Sequence, residues 1–144
     1  MKIDEILNEW KSDCAMDDLN LDKESIKIPL LHSKYIYMLA DARARLRAHQ
    51  IEKRSLISKL RNYYFGSATE KDLTDLGREQ FLGKTLKNDV STNIEFDELV
   101  IAIDAKISIF EIKISALEEI MKSLNARGYQ IKNAIDWRRL TMGP

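Results

Sequence analysis

Between Arg43 and Gly66 the chain reads RARLRAHQIEKRSLISKLRNYYFG. Seven of these residues are basic (Arg43, Arg45, Arg47, Lys53, Arg54, Lys59, Arg61) and one, Glu52, is acidic. Seven minus one gives +6 locally, in a chain whose net charge is +0. The stretch ends in Tyr63, Tyr64 and Phe65. Cations for phosphates beside flat faces for bases are what single-stranded nucleic acid needs from a protein. Acid–base or nucleophilic chemistry finds little support. There is no Gly-rich phosphate loop with its Lys, and neither HExxH nor CxxC occurs. Two His and one Cys do not make a structural zinc site by the usual ligand counts. A Cys14–His32 nucleophile pair is of the kind any small chain contains by chance. The expectation is a binding or assembly protein, not an enzyme, with no cofactor.

Helical geometry orders these cations. The stretch has no Pro and no Gly before its last residue. At about 100° per residue, Arg43, Arg47, Arg54 and Arg61 fall within roughly 40° of one another and form a row about 27 Å long. Lys59 points to another face, and Lys53 lies near the apolar side. A solvated helix face is the plain alternative. Against it stand the near absence of interleaved acids for i,i+4 pairing, the excess of Arg over Lys, which suits phosphate contact and base stacking, and the aromatics that follow at once. Tyr63 and Tyr64 are candidates for stacking on bases, although Tyr63 is in phase with Leu60 and at least one of the pair is expected in the core.

The elements that must carry this row are helices. Two Pro and five Gly in 144 residues are few, 44% of residues are apolar and 32% are charged. One domain is the prior for this length, and a chain this short, drawn into long helices, buries little core by itself, so oligomerisation is the usual remedy. The charge is segregated. Residues 1–24 carry eight acids and three bases, and residues 67–100 carry eight acids and four bases, so acidic ground brackets the basic stretch. Cys14 is alone, which fits a reducing setting. No signal-peptide pattern opens the chain, and no apolar run approaches a membrane span.

Read in order, residues 1–24 form an acidic N-terminal helix (Ile3, Ile6, Leu7, Trp10) and a polar connector. Residues 25–66 form the basic long helix, starting near Ser25 or at Pro29, which suits a first turn, and stopped by Gly66. Its seam weakens at His49 and Lys53, and His49 is read as an interface or partly exposed residue. Residues 67–95 are a connector that could hold a short helix over Thr69–Leu82, with Gly77 and Gly83 favouring mobility. A second long helix over 96–140 carries a regular seam at Phe96, Leu99, Ile103, Ile107, Phe110, Ile114, Leu117, Met121 and Leu124. A second apolar set, Ile101, Ile109, Ile112 and Ile120, calls for more than one partner. Near Gly128 the helix either kinks or gives way to a separately docked terminal helix; Arg127, Lys132, Arg138 and Arg139 make that end basic. The fold class expected is all-α: two long helices in an antiparallel hairpin plus short terminal helices, assembling into a ring-like homo-oligomer.

HSKYIYML (32–39), KLRNYYFG (59–66) and ALEEIMKSLNARGYQIKNAIDWRRL (116–140) together resemble the UvsY family, the recombination mediators of tailed phages. The C-terminal string is the most specific of the three, and the similarity is weakest over 65–95. The resemblance implies a small helical protein that forms a homo-oligomeric ring, a hexamer or heptamer. It implies single-stranded DNA, a RecA-like (UvsX-type) recombinase and the phage single-stranded-DNA-binding protein as partners, no membrane, and the cytoplasm of an infected bacterial host cell as location. Such proteins ease displacement of the single-stranded-DNA-binding protein and so help load the recombinase. Basic positions just before the paired tyrosines are tied to DNA binding in the family, which points to Lys59 and Arg61 here. Many relatives continue after Gly with Lys or Arg, whereas Ser67 follows Gly66 in this chain. The family's C-terminal segment is tied to self-assembly, which fits a face of Ile131, Ile135 and Trp137. The candidate nucleic-acid-binding residues are therefore Arg43, Arg47, Arg54, Lys59, Arg61, Tyr63 and Tyr64. The alternative is a coiled-coil scaffold whose basic stripe binds an acidic protein partner. A duplex-DNA regulator is disfavoured because no helix-turn-helix spacing is visible.

Overall fold

The structure is a computed structural model that describes residues 1–83 and 86–143. All regular elements among the described residues are α-helices: α1 (Ile3–Asp13), α2 (Leu21–Phe65), α3 (Glu70–Leu76), α4 (Val90–Glu95) and α5 (Glu98–Met142). The chain divides into two compact units, one of Met1–Ala44 with Glu111–Pro144 and one of Arg45–Phe110. Lys84 and Thr85, within the expected connector over 67–95, lie outside the described residues.

In the first unit, Ile6, Leu21, Tyr35, Leu39, Ala42, Leu117, Ile120, Met121, Leu124 and Ile131 are buried. Along α2 and α5 most of them are separated by three, four or multiples of seven residues, which is the seam a helical period requires. Trp10 meets the Tyr35 ring edge-on at 5.4 Å and so docks α1. Lys34 Nζ sits 2.7 Å from both Glu9 and Asp13, and the Tyr35 hydroxyl donates to Asp13 at 2.7 Å. Arg127 is buried, and Nη2 donates to the Cys14 carbonyl at 2.7 Å while Nη1 reaches the Asp13 carbonyl at 3.4 Å. A guanidinium on the last carbonyls of α1 satisfies acceptors that the helix itself leaves open.

Both long helices differ from expectation at one end. α2 begins at Leu21, so Pro29 lies inside the helix instead of in its first turn. An interior Pro removes one backbone bond and costs about 3 kcal/mol. The turn before it extends the helix regardless: Asp17 accepts from the Leu19 amide and the Asn20 side chain, and the Asn20 carbonyl takes the Glu24 amide. Burial of Leu21 then holds the added turns. α5 runs through Gly128 to Met142 as one helix, with no separate terminal helix.

The second unit packs Leu60, Leu76, Val90, Ile94 and Val100 into one buried cluster, with Leu56, Ile57, Tyr63, Tyr64 and Leu99 against it. Here the α2 and α5 segments run antiparallel, because Lys53 pairs with Asp104 at 2.7 Å while His49, earlier in α2, faces Phe110, later in α5. α3 opens with a capping box between Thr69 and Asp72. It closes at Gly77, whose φ of 67° is left-handed, with the Arg78 amide returning to the Leu73 carbonyl. That stop ends the helix well before Leu82. Of the second apolar set on α5, Ile120 is buried, whereas Ile101, Ile109 and Ile112 are exposed in the single chain.

Candidate nucleic-acid interface

The basic half of α2 sorts into two groups by what each side chain meets. Lys53 is paired with Asp104, and Lys59 Nζ lies 3.1 Å from Asp75 of α3. Arg43 belongs to the first unit, where its Nη2 is 3.0 Å from Glu118. Arg47, Arg54 and Arg61 are exposed, and no acid of the described residues lies within ion-pair distance of them. These three stand seven residues apart, so successive Cα atoms are about 10.5 Å apart along the helix and the row drifts only about 20° per step. The result is a straight line of three free guanidinium groups on one face of the second unit. Each offers a planar fork that matches a phosphate bidentately.

Tyr63 and Tyr64 close this helix as part of a packed cluster. Their rings are 5.0 Å apart, and Phe81 meets them at 5.2 and 5.1 Å. Arg78 lies over the Tyr63 ring, 5.1 Å from its centroid. The Tyr64 hydroxyl donates to Asp97 Oδ2 at 2.7 Å. Burial, with that bond, pushes the Tyr64 phenol up to about 12. Both tyrosines are half-buried, while Phe65 beside them is exposed.

Asp97 organises the tip. Its carboxylate takes both Arg78 nitrogens, the Tyr64 hydroxyl and the Leu99 amide. The last of these makes Asp97 the N-cap of α5. Neither Arg78 nor Asp97 stands out in the sequence as a site residue. The legible signal is weak: an Asp just before an apolar-periodic run marks a helix start, but nothing local says which cation it holds.

At the C-terminus, Ile131 is buried within the chain, Ile135 is half-buried, and Trp137 is 66% exposed. Tyr129, Trp137 and Leu140 are all exposed and share one side of α5, at steps of eight and three. Arg138 donates to the Asp18 carbonyl, and Lys132 and Arg139 are exposed.

The family model described as "Recombination, repair and ssDNA binding protein UvsY" matches residues 9–144. The chain is 20% identical over 143 residues to the recombination protein uvsY of Enterobacteria phage T4, covering 99% of each chain. Its fold is similar to crystal structures of the phage T4 recombination mediator protein UvsY. One lattice form superposes with a TM-score of 0.85 at 20% identity, covering 99% of both chains. A second gives 0.85 at 18% identity, covering 97% of this chain and 99% of that one. A match of the family model over nearly the whole length, together with the same all-helical fold, means that this chain belongs to the UvsY family.

Proposed function

We propose that the chain is a single-domain recombination mediator that binds single-stranded DNA and promotes loading of a RecA-like (UvsX-type) recombinase onto DNA covered by single-stranded-DNA-binding protein. The observation that carries this reading is the line of Arg47, Arg54 and Arg61, which are exposed and without an acidic partner among the described residues. Arg43 and Lys59 are further basic positions of α2 but are held by acids, so they contribute only when those pairs exchange. Tyr63 and Tyr64 are packed against Phe81 and Arg78, so they stack on bases only where that cluster rearranges. Family membership supports the nucleic-acid class of ligand. Phosphate contacts and base faces carry no sequence information, so sequence preference is expected to be slight.

Self-assembly into a ring completes the reading. The exposed side chains of Tyr129, Trp137 and Leu140 supply the apolar surface, while Ile131 and Ile135 lie on the opposite, inward side of the helix and seat it. A ring of weak patches gains avidity without any tight single contact. The reading places the protein in the cytoplasm of the infected host. The test is fluorescence anisotropy of labelled oligo-dT with nucleic-acid-free protein, competed by unlabelled single strand or duplex. Displacement by single strand at lower concentration than duplex is expected. No shift at low salt would hand the arginine row to an acidic protein partner, and the scaffold reading would replace this one.

A further inference from the structure

Lys59 stands apart from the arginine row. It lies about 160° round the helix from Arg61, and it faces α3, where Asp75 holds it at 3.1 Å. The segment that brings Asp75 there is acidic: over 67–83, Glu70, Asp72, Asp75 and Glu79 face only Lys71 and Arg78. Two features fix α3 in this position. Leu76, the neighbour of Asp75, is buried in the core of the second unit. Arg78 is locked onto Asp97 by two bonds of 2.7 and 2.8 Å. The Lys59–Asp75 pair itself is a different kind of contact. Its side chains are 32% and 37% exposed, so water and salt screen it and it contributes little to stability. The pair therefore adds little to the hold on α3, which Leu76 and Arg78 already supply. A carboxylate oxygen at that distance occupies the place a phosphate oxygen would take.

We propose that Asp75 is an autoinhibitory contact: a carboxylate built in to compete with DNA phosphate for Lys59. The proposal rests on the single-stranded-DNA reading above. Arg47, Arg54 and Arg61 capture the strand, and Lys59 joins only when a phosphate displaces Asp75. Its release adds a contact on a second face of the α2 tip, next to the tyrosines, while the Arg78–Asp97 anchor keeps α3 in place.

The test is oligo-dT anisotropy over a salt series for wild type, Asp75→Asn, Glu79→Gln and the Asp75→Asn/Lys59→Ala double variant, with light scattering to hold assembly constant. Glu79 is an exposed acid on the same segment, so Glu79→Gln makes the same change in net charge away from Lys59. Asp75→Asn should bind severalfold more tightly than wild type, with a log–log salt slope steeper by about 0.7, the value for one added phosphate contact. Glu79→Gln should stay close to wild type, and the double variant should lose the whole gain. An Asp75→Asn affinity no higher than that of Glu79→Gln would overturn the proposal, as would a gain that survives Lys59→Ala. If no variant binds at the lowest salt, the nucleic-acid reading itself fails and the competition goes with it.

Discussion

Arg78 meets Asp97 with both ends of its guanidinium, Nη1 lying 2.7 Å from Oδ2 and Nη2 2.8 Å from Oδ1. The Asp97 side chain is 1% exposed and that of Arg78 24%, so this is a bidentate pair whose carboxylate end is buried. It joins three pieces of backbone, because Asp97 also takes the Tyr64 hydroxyl and caps α5. Removing one partner of such a pair leaves the other charge buried and uncompensated, at a cost of about 3–5 kcal/mol. Arg78→Ala is expected to lose that much in urea unfolding. Arg78→Lys should recover only part of it, since an ammonium cannot reproduce the two-point fork.

The same site fixes the sign of the acid response. Burial pushes the Asp97 carboxyl up, but bonds from Arg78, Tyr64 and the Leu99 amide outweigh it and hold the group below its usual range. A carboxyl depressed in the folded state contributes stability that is present above its unfolded value of about 3.9 and is lost as pH falls through the folded one. Asp13, where bonds from Lys34 and Tyr35 outweigh burial, acts in the same direction. Unfolding midpoints should therefore stay level from neutral pH to about 5 and drop below about 4. The alkaline side has the opposite form. Tyr64 is raised to about 12, so its share of stability is present below about pH 10, the unfolded value, and is lost as pH rises through the folded one. A spectrophotometric titration should show late-ionising tyrosines, of which one is lost in Tyr64→Phe while Tyr35, raised by burial and its bond to Asp13, remains.

Arg127 should behave as a structural residue despite its basic neighbourhood. It is buried, bonds the Asp13 and Cys14 carbonyls, and lies over the Trp10 ring at 5.6 Å. Arg127→Ala is expected to cost about 1–3 kcal/mol and to raise amide exchange across α1. Oligo-dT affinity at matched oligomer concentration should change little. A large loss of affinity with α1 still protected would place Arg127 on the nucleic-acid surface instead.

The proposed assembly has its own variant. Trp137 is exposed and sits between Tyr129 and Leu140 on one side of α5. Trp137→Glu should lower the mass measured by light scattering while leaving helical circular dichroism near wild type. An unchanged mass would move the interface elsewhere, to surfaces such as Ile101, Ile109 and Ile112.

The sequence was most legible where one helix speaks for itself. The Gly66 stop depends on a left-handed residue that Gly supplies without strain. The seam through Ile103, Leu117, Met121 and Leu124 is buried because periodicity is a local property. The arginine row also follows from spacing alone. Less legible was anything decided by a neighbour distant in sequence. Spacing cannot show that Asp75 takes Lys59, that Glu118 takes Arg43, or that Arg127 turns inward to the end of α1. Nor can it show that Phe81 and Arg78 occupy the tyrosine rings. Pro29 misled for a related reason: its local preference for a first turn yields to the buried contact of Leu21, about two turns further out.

The central claim is that the unpaired arginines of α2 bind the phosphates of single-stranded DNA. The most direct measurement is oligo-dT affinity against salt for wild type and for Arg47→Ala/Arg54→Ala/Arg61→Ala, with assembly checked by light scattering. The three arginines should together account for about 2 units of the log–log slope, at about 0.7 per phosphate, so the variant's slope should fall by that amount and its low-salt affinity by well over tenfold. A variant that keeps the wild-type slope and affinity while remaining assembled would contradict the account.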